Sequence, residues 1–104
     1  MLKHKFKAVR TERNGIKFPS KKEANYYDWL VLKQRAGEVV MFLRQPKFDL
    51  PGGTTYTADF LVFYADGTVE VIDVKGAKKT SAYAAFNRSK KQVEALYPVE
   101  IKEA

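Results

Sequence analysis

Asp59, Asp73 and Lys75 are the side chains whose types and spacing point most directly to chemistry in this 104-residue chain. Asp59 precedes the run FLVFY, Asp73 lies near the end of VEVIDV, and Asp66-Gly67 between the runs marks a hairpin turn. Loop length then decides which side chains share a face, because a one-residue change of register flips them all. A two-residue loop, Asp66-Gly67, pairs positions summing to 133 and puts the aspartates on opposite faces. A three-residue loop, Ala65-Asp66-Gly67, pairs positions summing to 132 and sets Asp59 directly across from Asp73. The second register is preferred, since the glycine then stands where the loop needs positive φ. Lys75 shares the face of Asp73 by strand period, as do Leu61, Phe63, Val69 and Val71. Carboxylates about 5 Å apart across a strand pair repel, and one pKa rises unless a cation intervenes. A hard divalent metal answers that need, with Mg²⁺ suited to a few carboxylates, waters and a phosphate. The competing reading is a cross-strand salt bridge in which Lys75 neutralises both acids. Against it, both runs are apolar on two faces and read as central strands, where unpaired charge is expensive.

Glu23 and Gln45 each admit two readings. Ser20-Lys21-Lys22-Glu23 has capping-box spacing, which explains a glutamate at the third helical position without any chemistry. Glu23 also shares a helix face with Tyr27 and Leu30, which would turn it toward a sheet. Gln45, before Pro46, is either a turn residue or a polar contact at the site. His4, in a run of basic residues, reads as solvated.

The elements that must position these groups follow from caps, breakers and apolar period. A helix is expected over 21–36, capped by Ser20 and stopped by Gly37. A short β-run at 39–43 is followed by Pro46 and KFDL at 47–50. After Pro51-Gly52-Gly53 comes one long β-rich run, TYTADFLVFY, then TVEVIDVK. A second helix is expected from 81 to about 96 and a last strand within VEIKE. The order α-β-β-β-α-β predicts an α/β layer arrangement. Residues 1–19 read as a basic N-terminal arm with a turn at Asn14-Gly15, and 20–104 as a single domain.

Composition narrows the function classes. With no cysteine there is no disulfide, thiolate zinc site or thiol nucleophile, and one histidine makes no His cage. No apolar run approaches the roughly 20 residues of a membrane span, and MLKHKFKAVR lacks a signal-peptide core, so a cytoplasmic location without membrane contact is expected. The net charge is +7, with 19 Lys and Arg against 12 Asp and Glu. Eight of the basic residues fall in the first 22 positions, and Lys75, Lys78, Lys79, Arg88, Lys90 and Lys91 form a second block free of acids. Two blocks of one sign point to a polyanion, with DNA as the expected partner.

Asp59 followed by Asp73-Val74-Lys75, together with the helix Glu23 and the element order, resembles the PD-(D/E)XK nuclease superfamily. The runs NGIKF, SKKEA, AGEV, QPKFDL, ADF and VIDVKG resemble a small phage-borne branch of it, and more loosely the phage endonuclease I Holliday-junction resolvases. Ala58 stands where the motif usually has proline. The resemblance implies a restriction-endonuclease-like core, a mixed central sheet flanked by helices. It makes Asp59, Asp73, Lys75 and Glu23 the catalytic set. Asp59, Asp73 and the Val74 carbonyl would hold Mg²⁺ or Mn²⁺, with Glu23 acting through water. Lys21, Lys22, Gln45, Lys78, Lys79, Arg88, Lys90 and Lys91 are the expected DNA contacts. The implied function is a metal-dependent, structure-selective DNA endonuclease acting as a homodimer in phage recombination or genome processing. A catalytically silent nucleic-acid-binding module and a phage packaging or assembly protein are the alternatives.

Overall fold

A computed structural model describes residues 11–75 and 81–104 of the chain. Its centre is a four-stranded mixed sheet in the order β3-β6-β7-β8, built from Val39–Arg44, Phe60–Tyr64, Val69–Asp73 and Ile101–Glu103. β3, β6 and β7 run antiparallel to their neighbours, and β8 joins β7 in parallel after the crossover through α2 (Ser81–Leu96). Counted over this sheet and its two helices, the order is α-β-β-β-α-β, the α/β arrangement read from the sequence.

Strand alternation divides the core. Phe60, Val62 and Ile72 point to one face, where Ala24, Tyr27 and Leu30 of α1 (Lys21–Arg35) cover them. Val71 and Ile101 point to the other and pack with Phe86 and Val93 of α2. Burying these side chains on both faces supplies the main driving force, about 25 cal/mol per Å² of apolar surface removed from water. The sheet is therefore a wall whose end can hold polar groups away from solvent.

Two further hairpins attach to this frame. β1 (Thr11–Arg13) and β2 (Ile16–Phe18) turn at Asn14-Gly15, both at positive φ, as hairpin turns of this length require. Phe18 is 1% exposed and belongs to the α1-side core, and the Arg13 guanidinium bonds Asp28 at 2.8 Å. The last part of the segment read as a basic arm is thus folded onto the domain. Lys3, His4, Lys5, Lys7 and Arg10 lie outside the described residues.

The other hairpin, β4 (Lys47–Leu50) with β5 (Thr54–Thr57), places Leu50 and Tyr56 in the α2-side core. The single run expected over TYTADFLVFY is consequently two strands. Residues 54–57 pair with β4, whereas 60–64 pair with β3 and β7. The change of partner falls at Ala58-Asp59, where the Ala58 amide donates to the Pro46 carbonyl at 3.0 Å and the Asp59 amide to that of Ile72 at 3.0 Å.

Candidate active site

The β6–β7 hairpin has the three-residue loop and the register summing to 132. Phe60 pairs with Ile72 and Phe63 with Val69, and Gly67 sits at φ +91° with its amide donating to the Tyr64 carbonyl at 3.0 Å. The ladder ends at the Phe60–Ile72 pair, so the expected pairing of Asp59 with Asp73 is not made: Asp59 stands just before β6, at the Asp73 end of the sheet, and its amide donates to the Ile72 carbonyl. Asp59 is locked there by its own backbone: besides its bond to Ile72, its carbonyl accepts from the Gln45 amide at 2.9 Å. Its Oδ2 accepts from the Val74 amide at 2.7 Å, so Val74 contributes main chain to the site.

The two aspartates do not lean on each other. The Asp73 side chain, buried at 2% exposure, has Oδ1 3.6 Å from Lys75 Nζ, and its Oδ2 is buried without a hydrogen-bond partner. Burial first, with the nearby Glu103 carboxylate adding, pushes Asp73 up to about 6 against the opposing pull of Lys75. The expected cause was repulsion from Asp59. The register pairing of Asp73 with Glu103 on β8 explains why the like charge comes from there instead. Lys75 Nζ also stands 4.1 Å above the Phe86 ring of α2, a cation–π contact that fixes its height over the sheet.

Glu23 takes the inward reading. Ser20 Oγ accepts from the Glu23 amide at 3.1 Å, the first half of a capping box. The Glu23 carboxyl, 4% exposed, faces Asp59 and hydrogen-bonds it. Such a bond between carboxyls needs a proton, and burial, followed by the charge of Asp59, raises Glu23 to about 7. Burial raises Asp59 too, opposed first by the Val74 amide and then by Lys75. Asp73 adds to the elevation of Glu23, so the field of all three acids meets at the α1 N-terminus.

Arg44 was not singled out by the sequence, yet its charge lowers both Glu23 and Asp59. It ends β3 opposite Phe60, with its guanidinium 4.6 Å from the Phe18 ring centroid. A basic residue closing an apolar strand just before Gln45 was the available signal. Gln45 holds φ +56°, a left-handed conformation that a non-glycine residue adopts at a cost of about 1–3 kcal/mol. Gln45 thus makes the turn out of β3, and its backbone N–H anchors the Asp59 carbonyl.

The expected DNA contacts are dispersed. Lys21 and Lys22 are exposed at the start of α1, and Lys22 Nζ donates to the Lys75 carbonyl. Arg88 and Lys91 are exposed on α2. Lys90 is instead paired with Glu103, at 3.5 Å, and turned toward the sheet. Lys78 and Lys79 lie outside the described residues.

Among the described residues, no three His, Asp or Glu side chains close into a metal-holding group. The arrangement is two pairs, Glu23 with Asp59 and Asp73 with Lys75. Its chemistry still fits a cation: two buried carboxylate oxygens, Glu23 Oε2 and Asp73 Oδ2, lack partners, and burial without compensation holds both acids above their ordinary range. No helix is long and apolar enough to cross a membrane among the described residues. No curated protein and no solved structure matches the chain. A family model does, over residues 3–102, which include Glu23, Asp59, Asp73 and Lys75, and the chain thus belongs to the family described as protein of unknown function DUF1064.

Proposed function

We propose that this chain is a metal-dependent DNA endonuclease of PD-(D/E)XK type, its sheet and helices forming the restriction-endonuclease-like core. The observation that carries the reading is the bond from the Val74 amide to Asp59 Oδ2 at 2.7 Å, which ties Asp59 to the backbone between Asp73 and Lys75, with Glu23 facing Asp59 from α1. Asp59, Asp73 and the Val74 carbonyl would hold Mg²⁺ or Mn²⁺, with Glu23 acting through water. A bound divalent ion supplies Lewis acidity toward a phosphate oxygen and acidifies a water.

The chain's own groups do the rest. Lys75 Nζ, steadied by Asp73 and the Phe86 ring, orients an attacking water and favours its deprotonated form by its charge. Arg44 keeps the Glu23–Asp59 pair from holding its shared proton too tightly. The basic residues of α1 and α2 track the DNA backbone, which sets position without reading sequence. Branched DNA is the proposed substrate class, in phage recombination or genome processing, and a homodimer would bring two centres to two strands.

The test is incubation with branched, flapped, single-stranded and linear duplex DNA in Mg²⁺, Mn²⁺ or EDTA. Cleavage should need the metal and favour branched DNA. Lys75→Ala should lower it by about 10²-fold or more while DNA binding persists, the scale of losing one positioned catalytic group. Cleavage by Lys75→Ala at the parental rate would remove the lysine from the mechanism. The pairing of the acids, in place of a three-way cluster, favours the silent DNA-binding module as the second reading. DNA binding without cleavage of any substrate in either metal would select it.

A further inference from the structure

Beside the carboxylates, between α1 and the β7–β8 side of the sheet, runs a groove of about 310 Å³ lined by Lys22, Asn25, Tyr26, Trp29, Val74 and Ala104. We propose that this groove receives an unpaired nucleobase of single-stranded DNA, stacked against Trp29 and Tyr26, next to the phosphate engaged by the carboxylate site. The inference rests on the nuclease reading and adds to it the feature by which the site would recognise DNA that is not fully paired.

Continuity with the site is the first support. Val74 walls the groove, and its amide holds Asp59 Oδ2, so the groove and the acids are built on one stretch of backbone. Lys22, at the mouth, donates from Nζ to the Lys75 carbonyl. A base in the groove and its phosphate at the acids would therefore be neighbours along one strand.

The chemistry of the lining is the second. Most aromatic rings here are spent in the core, but Trp29 is 40% exposed on α1, with Lys33 Nζ 5.4 Å from its ring centroid. Tyr26 lies 5.4 Å from Trp29 and 5.6 Å from Phe60, ring centroid to ring centroid, which steadies it as a platform. Asn25 is exposed at the rim, with its carbonyl 3.3 Å from an Arg13 nitrogen and an amide left to meet a base edge. Flat apolar walls with a lysine and an amide at the rim suit a base carrying a phosphate. An apolar peptide would not need the lysine, and a free phosphate would not need the rings. Bases inside a duplex are already stacked and out of reach, so the groove selects single-stranded or frayed segments.

Trp29 is the only tryptophan in the chain, so its fluorescence reports on the groove directly. In EDTA, where nothing is cut, the full chain is titrated with a short oligothymidylate and with an abasic oligonucleotide of equal length and charge. The thymidylate should quench Trp29 and bind about tenfold more tightly, the worth of one base–aromatic stack. Trp29→Ala should abolish that preference in a labelled-oligonucleotide anisotropy assay, and Trp29→Phe, which keeps a ring and protects against a folding defect, should retain most of it. Equal binding and quenching by both oligonucleotides, binding of neither, or an undiminished preference in Trp29→Ala would overturn the groove assignment. Base-dependent quenching in a protein that cleaves nothing would keep the groove and reject the nuclease. Metal-dependent cleavage without base preference would reject the groove alone.

Discussion

Glu23 and Asp73 are acids that the fold keeps closer to neutral than water would. Their folded-state values, about 7 and about 6, lie above the ordinary 4.5 and 3.8. The folded protein therefore binds these protons more tightly than the unfolded chain does. The stability gained is complete below about pH 4 and disappears as pH rises through 6 for Asp73 and 7 for Glu23. Metal-free protein in EDTA is expected to melt at a lower temperature at pH 8 than at pH 5, by about 5 degrees or more for a domain of this size. Asp73→Asn keeps the neutral shape and removes the charge, so its melting temperature at pH 8 should equal or exceed the parent's. Mg²⁺ should then stabilise the parent more than the variant, since only the parent offers the full set of anionic oxygens. A fall of well over 10 degrees in metal-free Asp73→Asn would instead mark the contact with Lys75 as a structural ion pair, the cost of breaking a buried pair on one side being about 3–5 kcal/mol.

Gly67 determines which face of β6 meets which face of β7. At φ +91° it takes a conformation that residues with a Cβ adopt only under strain, and a Cβ built there meets nothing within 4 Å, so the penalty is conformational and not steric. Gly67→Ala should cost about 1 kcal/mol and about 5 degrees of melting temperature, measured by thermal denaturation. No loss at all would mean that the loop relaxes into another turn and that the register is held by the strands. This element was legible because a glycine marks its own position within a hairpin loop, and both helices were legible through Ser20, Gly37 and their apolar period. The partner change at Ala58-Asp59 was not, because β-propensity describes a strand and not what it pairs with. Ala58 illustrates the limit: its amide donates to the Pro46 carbonyl at 3.0 Å, a bond at the change of partner that no propensity along the run announces. The bulge between Val39 and Met41 likewise leaves no mark that an apolar run displays.

Across the whole molecule, the sequence shows how much positive charge there is and where it falls along the chain, but not which charges remain uncommitted. Lys90 and Lys91 are adjacent and look equivalent in the sequence. In the fold Lys90 is paired with Glu103, the same carboxylate that accepts from the Tyr83 hydroxyl at 2.9 Å and raises Asp73, while Lys91 and Arg88 face solvent. A residue's neighbours along a helix do not reveal that a later strand, β8, will carry its counter-charge at Glu103. The DNA-binding reading can be tested on this difference. Each phosphate neutralised contributes about −0.9 to the slope of log affinity against log salt. Replacing Arg88 and Lys91 together by Ala should flatten that slope by up to about 1.8, measured by anisotropy on duplex DNA between 50 and 200 mM salt. Lys90→Ala should change it far less, because that charge is already answered within the protein. Single-turnover cleavage at saturating protein should respond in the opposite order, since freeing Glu103 from Lys90 strengthens the like charge beside Asp73. An unchanged slope in Arg88→Ala/Lys91→Ala would mean that the outer face of α2 is turned away from DNA and that its positive charge serves only solubility.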